Sequence, residues 1–171
     1  MSVQREHIGL TPTVPVTHLP DQSEQGFLGN LSSACRMLRS TRLRCSLFGV
    51  TPLGMSARSA AARLASRLGS YGLVGILPGG KIGFLHLDRC LVSEKGDEAI
   101  TARVRRQVTE VLGAGSVKRI VALHYWTDEM TGSDDLLQKL EDRAFGERVS
   151  KSRPASAISS LYPIRSNRKE L

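Results

Sequence analysis

The segment Pro78-Gly79-Gly80-Lys81-Ile82 has the composition of a ligand cradle. Backbone N–H groups of a glycine turn next to a lysine can hold an anion, which makes Gly79, Gly80 and Lys81 a candidate binding site for a nucleotide or other anionic metabolite. Gly75 and Gly80-Lys81 have the spacing of a P-loop, but Ile82 stands where that loop needs a magnesium-binding Ser or Thr, and a strand-like run follows instead of a helix. The plainer reading of the same residues, and the favoured one, is a hairpin turn with glycine supplying positive φ.

Other residues with chemical potential are scattered. His86 and Asp88 lie at i, i+2 in the run KIGFLHLD, so on a strand they share a face and could form an acid–base pair; a solvated polar face explains them as well. Asp128-Glu129 and Asp134-Asp135 could gather a cation, but a loop and a helix start account for them. Ser46, Ser70 and Ser116 lack the G-x-S-x-G setting of a nucleophile elbow. Trp126, the only tryptophan, ends the run KRIVALHYW, where it reads either as a core plug or as an anchor for a partner. Cys35, Cys45 and Cys90 form no C-x-x-C pair, and the four histidines are dispersed, with His86 and His124 inside strand-like runs. The expectations are therefore free, buried thiols, no metal site, no cofactor and no catalytic residue.

The elements that would position these residues follow from periodicity. Phe27, Leu28, Leu31, Cys35 and Leu38 predict an amphipathic helix over 21–40, weakened at its start by Gly26 and Gly29. Leu43–Val50 reads as a strand, and Ser56 caps a helix over 57–68 with Ala57, Ala61, Leu64 and Leu68 on its apolar face. Residues 73–78 and 81–88 predict a hairpin. A helix over 97–112 carries Ile100, Val104, Val108, Val111 and Leu112; a strand over 118–126 follows. Ser133 then starts a helix with Asp134 and Asp135 at its positive end and a stripe of Leu136, Leu137, Leu140, Ala144 and Phe145. The order β-α-β-β-α-β-α predicts an α+β fold, a ferredoxin-like antiparallel sheet with helices on one face, plus an extra N-terminal helix.

Around this single domain at 21–149, residues 1–20 (with TPTVPVTHLP) read as a flexible Pro-rich arm and 150–171 as a flexible basic tail. The net charge of +8 is uneven: residues 43–150 carry 15 Lys/Arg against 12 Asp/Glu, while 151–171 carry five against one. A basic tail permits weak, nonspecific nucleic-acid binding, but aromatics at 5% argue against a base-stacking sheet. No apolar run approaches a membrane span of about 20 residues, and the N-terminus lacks a secretory h-region, so a cytoplasmic protein is expected.

The element order, with a Gly-Gly turn between the second and third strands, resembles the GGDEF domain of diguanylate cyclases over about 43–147. The best stretch is SYGLVGILPGGKIGFLHLD, where Gly79-Gly80-Lys81-Ile82-Gly83 falls at the signature hairpin. A second match is DDLLQKLEDRAF, with Leu136-Leu137, Glu141 and Phe145 at positions similar to the family's closing helix. The resemblance implies metal-holding acids in the hairpin and at the end of the first strand, since two-metal phosphoryl chemistry needs carboxylates. Here the hairpin reads Lys81-Ile82, and the only acid from Leu43 to Ser93 is Asp88. The base-binding loop is compressed to Thr51–Met55, and the regulatory R-x-x-D site, which would fall on Ser70 and Leu73, is missing. The expectation is a degenerate, non-catalytic member of bacterial signalling, a pseudoenzyme that regulates or binds a protein partner or itself. The alternatives are an anion sensor at Gly79–Lys81 and nonspecific nucleic-acid binding through the tail.

Overall fold

The computed structural model describes residues 21–88 and 94–152. The Pro-rich arm at 1–20, Cys90 and the basic stretch from 153 lie outside the described residues, as do the side chains of Asp88 and Phe145. In order, the elements are α1 (Glu24–Leu38), β1 (Arg44–Pro52), α2 (Ala57–Leu68), β2 (Gly72–Leu77), β3 (Lys81–Asp88), α3 (Glu94–Leu112), β4 (Val117–Trp126) and α4 (Ser133–Ser152). Short 3-10 turns at Ala114–Ser116 and Thr127–Glu129 flank β4. The last helix runs past the expected domain edge at 149, and α3 begins three residues before the expected 97.

The four strands form one antiparallel sheet in the order β2-β3-β1-β4. Each helical crossover therefore skips a strand: β1-α2-β2 spans β3, and β3-α3-β4 spans β1. Central β1 is buried at six consecutive positions, Cys45 to Val50, which requires cover on both faces of the sheet. One face packs Phe48, Val50, Ile82 and Phe84 against α2 and α3. The other packs Cys45, Leu47 and Leu85 against Phe27 and Leu31 of α1 and Leu136 and Leu140 of α4. The expectation of helices on one face is thus corrected. The unbroken apolar run CSLFGV, which lacks in–out alternation, is the sequence counterpart of that two-sided burial.

A row of glycines lets α1 lie close to the sheet. Gly49 pairs with Gly83, and Gly83 pairs with Gly75, so three strands lack side chains at one level. The Phe27 ring fills that space: a Cβ at Gly83 would sit 2.4 Å from it, and one at Gly75 2.5 Å from the Phe27 Cβ. Ser23 caps α1 by accepting the Gly26 N–H at 3.1 Å, which sustains the helix despite its glycines. Similarly, Ser56 accepts the Ser59 N–H at 3.2 Å to start α2. On α2 the buried face is Ala60, Ala61, Leu64 and Leu68, so Ala60 takes the place expected of Ala57.

At the far end of the chain path, buried Thr127 fastens the link between α1 and β1 to the end of β4. Its hydroxyl donates to the Thr41 carbonyl at 2.5 Å and accepts the Leu43 N–H at 2.9 Å. The outer edge of β2 is partly covered, because Ile76 donates its N–H to the Gln22 carbonyl at 3.0 Å. The outer edge of β4 pairs with no described strand. Among the described residues no helix is long and apolar enough to cross a membrane.

Candidate functional site

Even-numbered residues of β1 and β4 point to the α2–α3 side of the sheet. Toward the Arg44 end of β1 the apolar character of that face gives way to Ser46 and Arg44, which pair across strands with His124 and Trp126. The first turns of α3 cover this end and bring Asp97 and Thr101 over it. Asp97 also suits its place in the helix, since a carboxylate near an N-terminus meets the positive end of the macrodipole.

The result is a connected polar cluster. Arg44 donates from Nε to Asp97 Oδ1 at 3.1 Å and makes a second bond from its terminal nitrogen to Oδ2. Both side chains are largely buried, at 15% and 16% exposure. The Arg44 guanidinium also lies 5.3 Å from the Trp126 ring centroid, and that of Arg42 lies 5.5 Å from it. Hydrogen bonding to Asp97 raises the Arg44 pKa further, so the guanidinium stays charged.

His124 lies at the centre of the cluster. Its Nδ1 is 2.7 Å from Ser46 Oγ and 3.7 Å from Asp97 Oδ1, and its Nε2 is 2.9 Å from Thr101 Oγ1. Burial lowers the imidazole pKa, Asp97 opposes that shift, and Arg44 and Arg143 reinforce it. The ring is therefore neutral at physiological pH, with one nitrogen accepting. The carboxylate beside Nδ1 favours the proton there, which leaves Nε2 to accept from the Thr101 hydroxyl. A hydroxyl, an imidazole and a carboxylate are the parts of a nucleophilic relay. Ser46 is fully buried, however, and cannot meet a substrate; Thr101 is the hydroxyl that faces open space.

That space is a groove of about 510 Å³ between α3 and β4. Its floor is Arg44, Asp97, Thr101 and His124. Glu98 and Arg105 extend the α3 wall, and Arg143 reaches it from α4, on the other side of the outer β4 edge. Arg105 and Arg143 are exposed and form no ion pair with any described residue.

The Gly79–Lys81 candidate lies elsewhere, whereas Ser46, His124 and Trp126 belong to the cluster. Gly79 and Gly80 have φ of +75° and +71°, and nothing lies within 4 Å of where a Cβ would be, so they form an open turn. The Lys81 ammonium is bonded to Glu141 of α4, which ties the hairpin to that helix. Ile82 next to it is fully buried. Counting from Lys81 along β3 to the partner of Arg44, the turn is about 23 Å from the polar cluster at ~3.3 Å per residue.

Trp126 is half-buried under its two guanidiniums, between the two roles that sequence left open. His86 Nδ1 lies 3.1 Å from the Tyr71 carbonyl, to which it donates, so the ring has a structural partner. Asp128 pairs with Arg42 at 3.9 Å and Asp135 with Lys139 at 2.7 Å. Among the described residues no group of three or more His, Cys, Asp or Glu is placed to hold a metal ion. Cys35 and Cys45 are free and buried, and burial pushes the Cys45 thiol up to about 12. It lies beside the buried Tyr125 hydroxyl, which has no hydrogen-bond partner among the described residues and is itself shifted upward by burial.

Sequence reasoning missed the cluster because its members are far apart along the chain: Arg44 and Asp97 are separated by 53 residues, and Ser46 and His124 by 78. The available signals were small, namely a polar Ser46 inside an apolar strand and a histidine at the matching level of another. Comparison with protein-family models, with curated proteins and with solved structures found no match to this chain.

Proposed function

We propose that the chain is a non-catalytic regulatory or protein-interaction module, built on a degenerate GGDEF-like domain with a ferredoxin-like sheet. The carrying observation is how the hairpin is used. Of the two positions where a cyclase would present metal-binding acids, Ile82 is fully buried in the α2–α3 core and Lys81 is bound to Glu141. Both side chains are therefore committed to packing one element on another. The interleaved strand order, with each β-α-β unit enclosing a strand of the other, supports the ferredoxin-like reading. The setting that goes with it is bacterial, cytoplasmic signalling, with a protein partner or a second copy of the chain as the contact.

The test is incubation of the full chain with GTP and magnesium or manganese, followed by chromatography of the nucleotides. No cyclic dinucleotide is expected; its formation at a rate proportional to protein concentration would overturn the reading. A sensor role at the Gly79–Lys81 turn has less support, since the lysine that would neutralise an anion is already engaged by a carboxylate.

A further inference from the structure

We infer that the groove between α3 and β4 is a binding site for a small molecule carrying a phosphate group, which Arg105 and Arg143 clamp above the Arg44–Asp97–His124 floor. This goes beyond the regulatory reading and does not depend on it.

Charge gives the first argument. Three arginines and two carboxylates line the groove, but Arg44 and Asp97 neutralise each other in a two-point bond. What remains facing the space is the pair Arg105 and Arg143 against the single acid Glu98. Neither guanidinium bonds to another described residue, so its N–H donors are open to a ligand, and the planar fork of arginine matches phosphate oxygens. Two positive charges suit a phosphomonoester dianion better than a carboxylate. A metal cation is disfavoured, because the one uncommitted acid faces two arginines.

Preorganisation gives the second. Arg44 is fixed by Asp97 on one side and by the Trp126 ring on the other, so the floor does not have to reorganise on binding. Thr101 gives its hydroxyl proton to His124 Nε2, which holds that part of the floor in place as well. On α3, Asp97, Thr101 and Arg105 recur at four-residue intervals, so a single helix face presents the floor and one clamp.

Size gives the third. The groove, about 510 Å³, falls within the 300–1,000 Å³ typical of ligand sites. A bare phosphate of about five heavy atoms leaves most of that volume to water, so there is room for an organic group beside the apolar surface of Ala102 and Ala122.

Calorimetric titration of the full chain at low salt tests this, with AMP as a phosphomonoester probe, inorganic phosphate as the bare anion and adenosine as the uncharged control. Saturable binding of AMP is expected and none of adenosine; a phosphate response as strong as that of AMP would assign the site to the anion alone, and a weaker one to an organic phosphate. Arg105→Ala and Arg143→Ala are each expected to weaken AMP binding about tenfold, as loss of one charge-assisted hydrogen-bond donor does. Glu98→Gln is expected to tighten it severalfold, and Lys81→Ala to leave it unchanged. All four side chains lie at the surface or in an exposed pair, so the variants fold, which circular dichroism verifies. The inference is overturned by a flat response to AMP and phosphate up to millimolar concentration, by equal binding of adenosine, or by binding that ignores both arginine variants. It is also overturned by loss of binding in Lys81→Ala, which would return the site to the hairpin turn.

Discussion

The two ends of the sheet place their charged residues in different ways, one along a contiguous turn and the other by convergence of separate elements. At the hairpin end, Gly79, Gly80, Lys81 and Ile82 are contiguous in sequence and look like a binding loop, yet each has a structural task. The glycines take positive φ, Lys81 clasps α4 and Ile82 fills the core. At the other end, Arg44, Asp97, Thr101, His124 and Arg143 come from four separate elements and converge on a groove of about 510 Å³. Adjacency in sequence signals a turn, because neighbouring residues share one local conformation. Convergence of distant polar residues requires the tertiary fold to hold them together, and burial of charge is tolerated only when partners meet.

The strongest way to break this contrast is to write an acid back into the hairpin. Ile82→Glu places a carboxylate in the α2–α3 core with no partner and is expected to destabilise the chain on the order of 3–5 kcal/mol, measured by urea unfolding. A variant as stable as the parent would show that the position is not core and would remove the main support for the structural reading of the hairpin.

Next in size is Asp97→Ala at the other end, which strands the partly buried Arg44 charge and removes the anchor of the cluster. A loss of about 2 kcal/mol is expected, below the value for a fully buried pair because both side chains retain some exposure. If Asp97→Ala and Arg44→Ala each cost little and their double variant costs their simple sum, the pair is not coupled and the groove has no rigid floor.

The pH dependence sharpens the same comparison. Burial lowers the folded-state pKa of His124, so between that value and the unfolded value of about 6.5 the unfolded chain binds more protons. The stability associated with neutral His124 is therefore fully present above about pH 6.5 and is lost as pH falls through the folded pKa. Unfolding midpoints measured from pH 7.5 downward are expected to show this decline, and His124→Gln to flatten it. An unchanged slope in that variant would place the titrating group elsewhere.

The smallest effect is expected from Lys81→Ala. The Lys81–Glu141 pair is partly exposed, so its loss should cost no more than about 1 kcal/mol, and less at high salt. A larger cost would mean that the clasp between hairpin and α4 contributes more to stability than its exposure implies.

Most of the elements were legible in the sequence, because local signals define them. Ser56 and Ser133 mark helix starts, Pro78-Gly79-Gly80 marks the turn, and apolar spacing marks α3 and α4. Their arrangement was less so. The expected plan had helices on one face, and only the structure showed Cys45–Val50 buried from both. The glycines were visible without their purpose: Gly75 stood out only for its P-loop spacing and Gly83 only for its place after the hairpin, until cross-strand pairing aligned them under Phe27. His124 was recognised as a strand histidine, while its link to Ser46, Asp97 and Thr101 was not, since no local rule relates residues so far apart.

By itself, then, the sequence determined the order of helices and strands, the hairpin turn and the absence of acids at that turn. These depend on backbone preferences and hydrophobic periodicity over a few residues. Only the tertiary structure decided that Lys81 meets Glu141, that α1 settles on a glycine row and that a neutral histidine lies under an arginine-lined groove. Those contacts depend on which strands pair and in what register, and in an antiparallel sheet a shift of one residue would turn Ser46 and His124 to the opposite face.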